Sequence, residues 1–374
     1  MQKTKSLTAV RILAGPPADT ADIQYLTGFR APDPAILLVA GDGRHLVVSD
    51  LECGRARRSR AEVVHTLREL GGGRPVRLLD AGILWLKKRR IRRVEVSELF
   101  PGGWRERLEK EGIRTATIAG ATCPARARKT ADEVAAIRRS QRAAVAAYRE
   151  AARILRASEI GRAGRLRWEG AALTSERLRQ AIEAALARHD CEGGETIVAG
   201  GPSGADPHER GRGPLRAGEP IVLDIFPRHR RSGYWGDLTR TLVKGVPPPE
   251  LRRMYAAVAA AHRAALARTR PGAAVRAIHR AAQAALRAHG FENRDTPEGP
   301  EGFIHGTGHG VGLDIHEAPR IADTDGRLAA GNVVTIEPGL YYRRIGGVRI
   351  EDTVAVTAHG AEILCPCPYR WIVP

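Results

Sequence analysis

Four stretches of this chain read as apolar strands, each with a carboxylate near its middle, and they come as two pairs. Ile221–Phe226 (IVLDIF) holds Asp224, and Tyr234–Val243 (YWGDLTRTLV) holds Asp237. Asn332–Leu340 (NVVTIEPGL) holds Glu337, and Gly347–Val356 (GVRIEDTVAV) holds Glu351. A charge in such a strand is costly to bury unless it is paired or bound to a cation. Folding each pair as a hairpin, the first centred between Arg230 and Arg231 and the second on Arg344, sets Asp224 opposite Asp237 and Glu337 opposite Glu351. Opposed carboxylates repel unless a cation sits between them. The repeated design is what an internal duplication would leave.

Between the pairs lies Phe303–Pro319, FIHGTGHGVGLDIHEAP, with His305, His309 and His316 among Gly306, Gly308, Gly310 and Gly312. The glycine density argues against a helix. Alternate glycines suit an extended backbone that presents imidazoles to a small bound species. The zinc-helix pattern H-E-x-x-H fails, because Arg320 stands where its second histidine would be and Pro319 would break the helix. Four carboxylates and at least one histidine on apolar strands fit a two-metal site, in which bridging side chains hold the ions roughly 3.5–4 Å apart and a shared hydroxide is the nucleophile. Oxygen-rich ligation favours Mn²⁺, Co²⁺ or Fe²⁺ over structural zinc.

A length of 374 residues predicts two domains. Residues 1–120 alternate strands (Ala35–Ala40, His45–Ser49, Val76–Leu79) with a helix over Ala61–Leu70, which suggests a small α/β domain. No chemistry-bearing cluster occurs there, leaving it a role in substrate access or in forming a homodimer. Cys123–Lys129 reads as a linker. Thr130 and Glu133 then form a capping box that starts a long amphipathic helix, so a second domain begins near residue 128. Further helices are expected over about 175–188, 249–269 and 273–289, the last two covering the sheet. His208 sits alone in a loop after Gly200–Gly204.

Five scattered cysteines imply no disulfide framework, and Cys365 and Cys367 read as packed thiols. The N-terminal apolar run is too short for a signal peptide and no stretch could span a bilayer, so a cytoplasmic protein is expected. The net charge of +18 would suggest nucleic acid, yet 53 of the 60 basic residues are arginine and they are spread along the chain. Biased codon usage explains that better than phosphate binding, and the run from Lys87 to Arg93 reads as a solvated face.

Together these motifs resemble the pita-bread metallopeptidases: methionine aminopeptidase, aminopeptidase P and prolidase. The resemblance covers roughly residues 128–374 and implies an antiparallel sheet covered by helices. It implies five ligands for two divalent metals, Mn²⁺ or Co²⁺ first and Fe²⁺ or Zn²⁺ as alternatives. Asp224 would hold one ion, His309 and Glu337 the other, and Asp237 and Glu351 would bridge. Glu337 would also be the general base, His316 would steady the oxyanion, and His208 would lie near the scissile nitrogen. His305 and Arg349 match substrate-side residues of the proline-specific branch. Residues 1–124, with YLTGF at Tyr25–Phe29, resemble that branch's creatinase-like N-terminal domain. The implied activity is hydrolysis of Xaa-Pro bonds at peptide N-termini, of aminopeptidase P or prolidase type. The alternatives are a related hydrolase acting on a non-peptide C–N bond and a basic, non-catalytic pita-bread protein that binds nucleic acid. Asp224 and Asp237 lie 13 residues apart, slightly more than in the family, so a longer turn is expected there.

Overall fold

The first sheet is built from β-branched runs that pair in mixed directions. Its strands are β1 (Val10–Gly15), β2 (Ala35–Ala40), β3 (Gly43–Val48), β4 (Val63–Thr66), β5 (Arg93–Ser97) and β6 (Arg114–Ile118), in the order β4-β3-β2-β1-β5-β6. Helices α1 (Ala21–Thr27), α2 (Leu78–Lys88) and α3 (Gly102–Lys110) accompany it. This computed structural model describes residues 9–374; the beginning of the N-terminal run weighed against a signal peptide, residues 1–8, lies outside the described residues. The chain divides into two compact units, Met1–Pro124 and Ala125–Pro374.

Two expectations for the first unit are corrected. Ala61–Leu70 is not one helix: Val63–Thr66 pairs in parallel with His45–Val48, and a single helical turn starts at Leu67. Val63, Val64 and Thr66 are β-branched and favour the strand, while Thr66 caps the turn by accepting from Glu69 N–H. Val76–Leu79 is not a strand either. Leu78 opens α2, whose Ala81, Ile83, Trp85 and Leu86 are buried at helical spacing.

In the second unit, α4 (Ala131–Ala157) begins at the capping box of Thr130 and Glu133. It is followed by α5 (Ser175–Ala187), β7 (Ile197–Gly200), β8 (Ile221–Ile225), β9 (Leu238–Lys244), α6 (Pro249–Leu266) and α7 (Val275–Ala288). Then come β10 (Gly308–Gly310), β11 (Glu317–Ile321), β12 (Val333–Ile336), β13 (Gly339–Tyr342), β14 (Gly346–Arg349), β15 (Asp352–Thr357), β16 (Gly360–Ile363) and β17 (Ile372–Val373). One sheet runs β7-β8-β9-β17 and the other β11-β10-β12-β15-β16. Residues of α4 and α5 pack on the first, and residues of α6 and α7 on the second.

The second carboxylate hairpin has the predicted register. Ile336 pairs with Asp352 and Gly339 with Arg349, which leaves Glu337 and Glu351 opposite each other between them. The first is displaced by two residues: Asp224 pairs with Thr239, and β9 starts at Leu238 instead of Tyr234. The chain turns at residues 230–232, which centres the hairpin between Arg231 and Ser232, one residue beyond the expected point, and Gly233, at φ 74°, donates its N–H to the His229 carbonyl. Pro227–His229 continues β8: Arg228 bridges Trp235 in the same register, and the stretch also pairs with Cys191–Gly193. Because the displacement is even, Asp237 keeps the face of Thr239 and stays beside Asp224.

Candidate metal centre

Each carboxylate is aimed by its own support. Gln141 on α4 holds the Asp237 backbone with its amide, accepting from Asp237 N–H through Oε1 at 2.8 Å and donating to Asp237 C=O through Nε2 at 2.8 Å. Thr353 donates to the same carbonyl at 2.7 Å. The Thr239 hydroxyl lies 2.9 Å from Asp224 Oδ1 and 2.7 Å from Glu351 Oε2, so its one proton serves one carboxylate at a time. Arg349 donates to Asp224 Oδ2 at 2.7 Å and, through Nε, to the Thr239 oxygen at 3.1 Å. Thr335 donates to Glu337 Oε1 at 3.1 Å and accepts from His309 N–H at 3.0 Å.

His309 completes the group. Its Nδ1 lies 3.1 Å from the Gly310 carbonyl and so carries the proton, which leaves the Nε2 lone pair facing inward. That Nε2 is 3.3 Å from Glu337 Oε1 and 3.6 Å from Asp237 Oδ2. Ligand atoms of Asp237, His309 and Glu351 all lie within 4.8 Å of one another. Burial, then the neighbouring carboxylates, holds Asp237 and Glu351 well above the usual carboxylate range. Burial lowers His309. Glu351 Oε1 is buried with no hydrogen-bond partner. A lone pair, an orphaned carboxylate oxygen and mutually repelling acids facing one another are what divalent cations satisfy, so these residues fit a metal centre.

The structure brings Asp224, Asp237, His309, Glu337 and Glu351 together. His316 stands beside them, its ring 4.3 Å from that of His309 and nearly perpendicular to it. His208 is exposed on its loop, near enough for its charge to bear on His305 and His316. His305 and Arg349 are engaged by the protein. Arg349 donates to the Tyr341 oxygen at 2.8 Å; Tyr341 in turn donates to His305 Nε2 at 2.8 Å, and His305 Nδ1 donates to the Gly306 carbonyl at 2.7 Å. Burial pushes His305 down to about 4 and Tyr341 up to about 12, so both are neutral, as that chain of donors requires.

A sequence profile of metallopeptidase family M24 matches residues 135–358, which include all five ligand-type residues. The chain belongs to metallopeptidase family M24. The Xaa-Pro dipeptidase of Pyrococcus furiosus is 38% identical over 172 residues, 46% of this M24 chain and 47% of that one. A probable dipeptidase PepE of Mycobacterium bovis is 38% identical over 193 residues, 51% and 49% of the two chains. The matched stretch thus spans about half the length of these curated relatives. The prolidase of Pyrococcus horikoshii superposes with a TM-score of 0.82 at 25% identity, over 97% of this chain and 95% of that one. The fold is therefore the pita-bread fold of the Xaa-Pro peptidase branch, and membership implies divalent metal binding.

Sequence reasoning passed over Gln141, Thr239 and Tyr341. Gln141 had a signal, a polar residue four positions from Ile137 and Val145 on the buried face of α4. Thr239 and Tyr341 had none, since their partners are distant in sequence. A side chain at Gly308 would collide with the Thr335 backbone, and one at Gly312 with the Glu317 carboxylate. What approaches these glycines closely is the protein itself.

Proposed function

We propose that the chain is a peptidase, dependent on two divalent metal ions, that cleaves Xaa-Pro bonds at peptide N-termini. The observation that carries this reading is the convergence of five ligand-type side chains on one buried cluster whose four carboxylates face a single cation, Arg349. Asp224 would hold one ion, His309 and Glu337 the other, with Asp237 and Glu351 between them. The carboxylate-rich donor set favours Mn²⁺ or Co²⁺. When bound, such ions acidify water and offer charge to a substrate carbonyl. Glu337 takes the proton from the attacking water and passes it to the prolyl nitrogen, which has no N–H of its own. His316, exposed beside His309, is placed to donate to the developing oxyanion. His208 stands at the rim near the leaving nitrogen. His305 and Arg349 act through Tyr341 and Asp224 by holding the ligands.

Arg320 favours the dipeptidase form of this activity. It is exposed, bears electrostatically on His309, and would sit 3.7 Å from a Cβ at Gly306. Among the described residues it has no acidic partner, so it is available to a substrate carboxylate. The first unit would be the creatinase-like domain, with the boundary near residues 124–128, in a cytoplasmic homodimer. No described helix is long and apolar enough to cross a membrane. The nucleic-acid reading loses support where it was strongest, since Lys87 pairs with Glu111 and Arg89 with Asp42.

The test is hydrolysis of Xaa-Pro dipeptides and Xaa-Pro-Xaa tripeptides after chelation and addition of Mn²⁺ or Co²⁺. Metal-restored cleavage of the dipeptides is expected. Glu337→Gln should lower kcat at least ~10³-fold with folding intact. Arg320→Ala should raise KM for dipeptides and leave tripeptides unaffected. No cleavage of any Xaa-Pro substrate by the metal-loaded protein overturns the reading.

A further inference from the structure

Next to the centre lies a second buried ion cluster, formed by a carboxylate that faces away from it. Glu317 follows His316 at the start of β11. Its Oε1 accepts from Lys129 Nζ at 2.6 Å, and its Oε2 accepts from Arg126 Nη2 at 2.6 Å. The same Arg126 Nη2 donates to Asp314 Oδ2 at 2.6 Å. The Lys129 side chain is 1% exposed and that of Glu317 is 8% exposed. Charges this buried hold their geometry closely, because parting them strands a charge away from water. Lys129 precedes the N-cap of α4, and its backbone N–H donates to the Gly331 carbonyl at 2.7 Å. The cluster therefore ties the histidine segment to the root of the longest helix.

Among the described residues, no hydrogen bond holds the His316 ring, so its aim has to come from its backbone. His316 lies in the bend that leads into β11 and is joined directly to Glu317, so Lys129 and Arg126, by holding the Glu317 side chain, fix the peptide from which the His316 ring reaches over His309. Glu317 also pairs with Gly310, whose carbonyl orients His309. Gly312 leaves the space that the Glu317 carboxylate fills.

We propose that Glu317, gripped by Lys129 and Arg126, is a positioning residue that sets His316 over the metal centre without touching substrate. The proposal rests on the peptidase reading above. In the full chain loaded with Mn²⁺, Glu317→Gln and Lys129→Met should each lower kcat on alanyl-proline roughly 10–100-fold, with KM within about threefold. Glu301→Gln is the control: Glu301 is equally buried and is paired with Arg294 and Arg343, but it has no histidine beside it to position. It should leave kcat unchanged.

A second readout does not depend on turnover. In the histidine-¹⁵N-labelled chain loaded with diamagnetic Zn²⁺, the His316 ring should give one sharp signal that broadens or splits in Glu317→Gln. A folded Glu317→Gln protein with wild-type kcat and one sharp His316 signal overturns the proposal, and so does an equal fall of kcat in Glu301→Gln. Should Glu317→Gln not fold, Arg126→Lys, which keeps the charge but loses the fork, is judged by the same two measurements. If the wild-type protein cleaves no Xaa-Pro substrate, the peptidase reading fails and the ring signal alone decides the role of Glu317.

Discussion

At the scale of single residues, the ligand-type side chains were legible and their supports were not. A carboxylate in the middle of IVLDIF or NVVTIEPGL breaks an apolar pattern, and so it can be seen without a structure. Thr239 breaks nothing, because threonine is at home in a strand. Its importance comes from Asp224 and Glu351, which lie 15 and 112 residues away. Removing the hydroxyl tests this. Thr239→Val keeps the shape and should weaken divalent-ion binding ~10–100-fold, as losing an outer hydrogen bond to ligands does. Isothermal titration with Mn²⁺ measures it, and an unchanged affinity would discard the supporting role.

At the scale of elements, the register of a hairpin with a symmetrical connection is legible, while that of a hairpin with an irregular one is not, even where its first strand, Ile221–Ile225, is. The hairpin about Arg344 keeps one register from Val333 through Tyr342, so counting outward from its centre pairs Glu337 with Glu351. In the other hairpin the turn at residues 230–232 puts the centre between Arg231 and Ser232, and that one-residue offset cannot be read from alternation. Residues 61–70 misled because valines at helical spacing also suit a strand, and the neighbouring β3 decides between them. The capping box that opens α4 was legible because both its partners are local. Thr130→Ala should cost about 1 kcal/mol. Thermal unfolding of the second unit should then shift down by roughly 2–4 °C.

At the scale of the whole molecule, stability depends on solution conditions in two ways. Arg44 holds Glu62 down to about 2, so this carboxylate contributes stability above its unfolded value near 4.5 and loses it as the pH falls toward 2. The pair is partly exposed, which limits its worth to about 0.5 kcal/mol. Glu62→Gln should flatten the acid limb of a stability curve between those pH values. The centre couples differently, because its ligand-type side chains come from β8, β10 and the edges of three further strands. Ions that bind only the folded chain should raise its stability by ~2.7 kcal/mol at a hundred times their dissociation constant, and a chelator should reverse the gain. The stretch from Thr307 to Val311 has glycine at 308 and 310, yet it has almost no room to move. Thr307 N–H is tied to Ile321, Val311 N–H to Val333, and Gly308 lies flat against Thr335. Glycine abundance here is a sign of rigidity, and in a deuterium-labelling experiment these amides should be among the last in the protein to take up solvent.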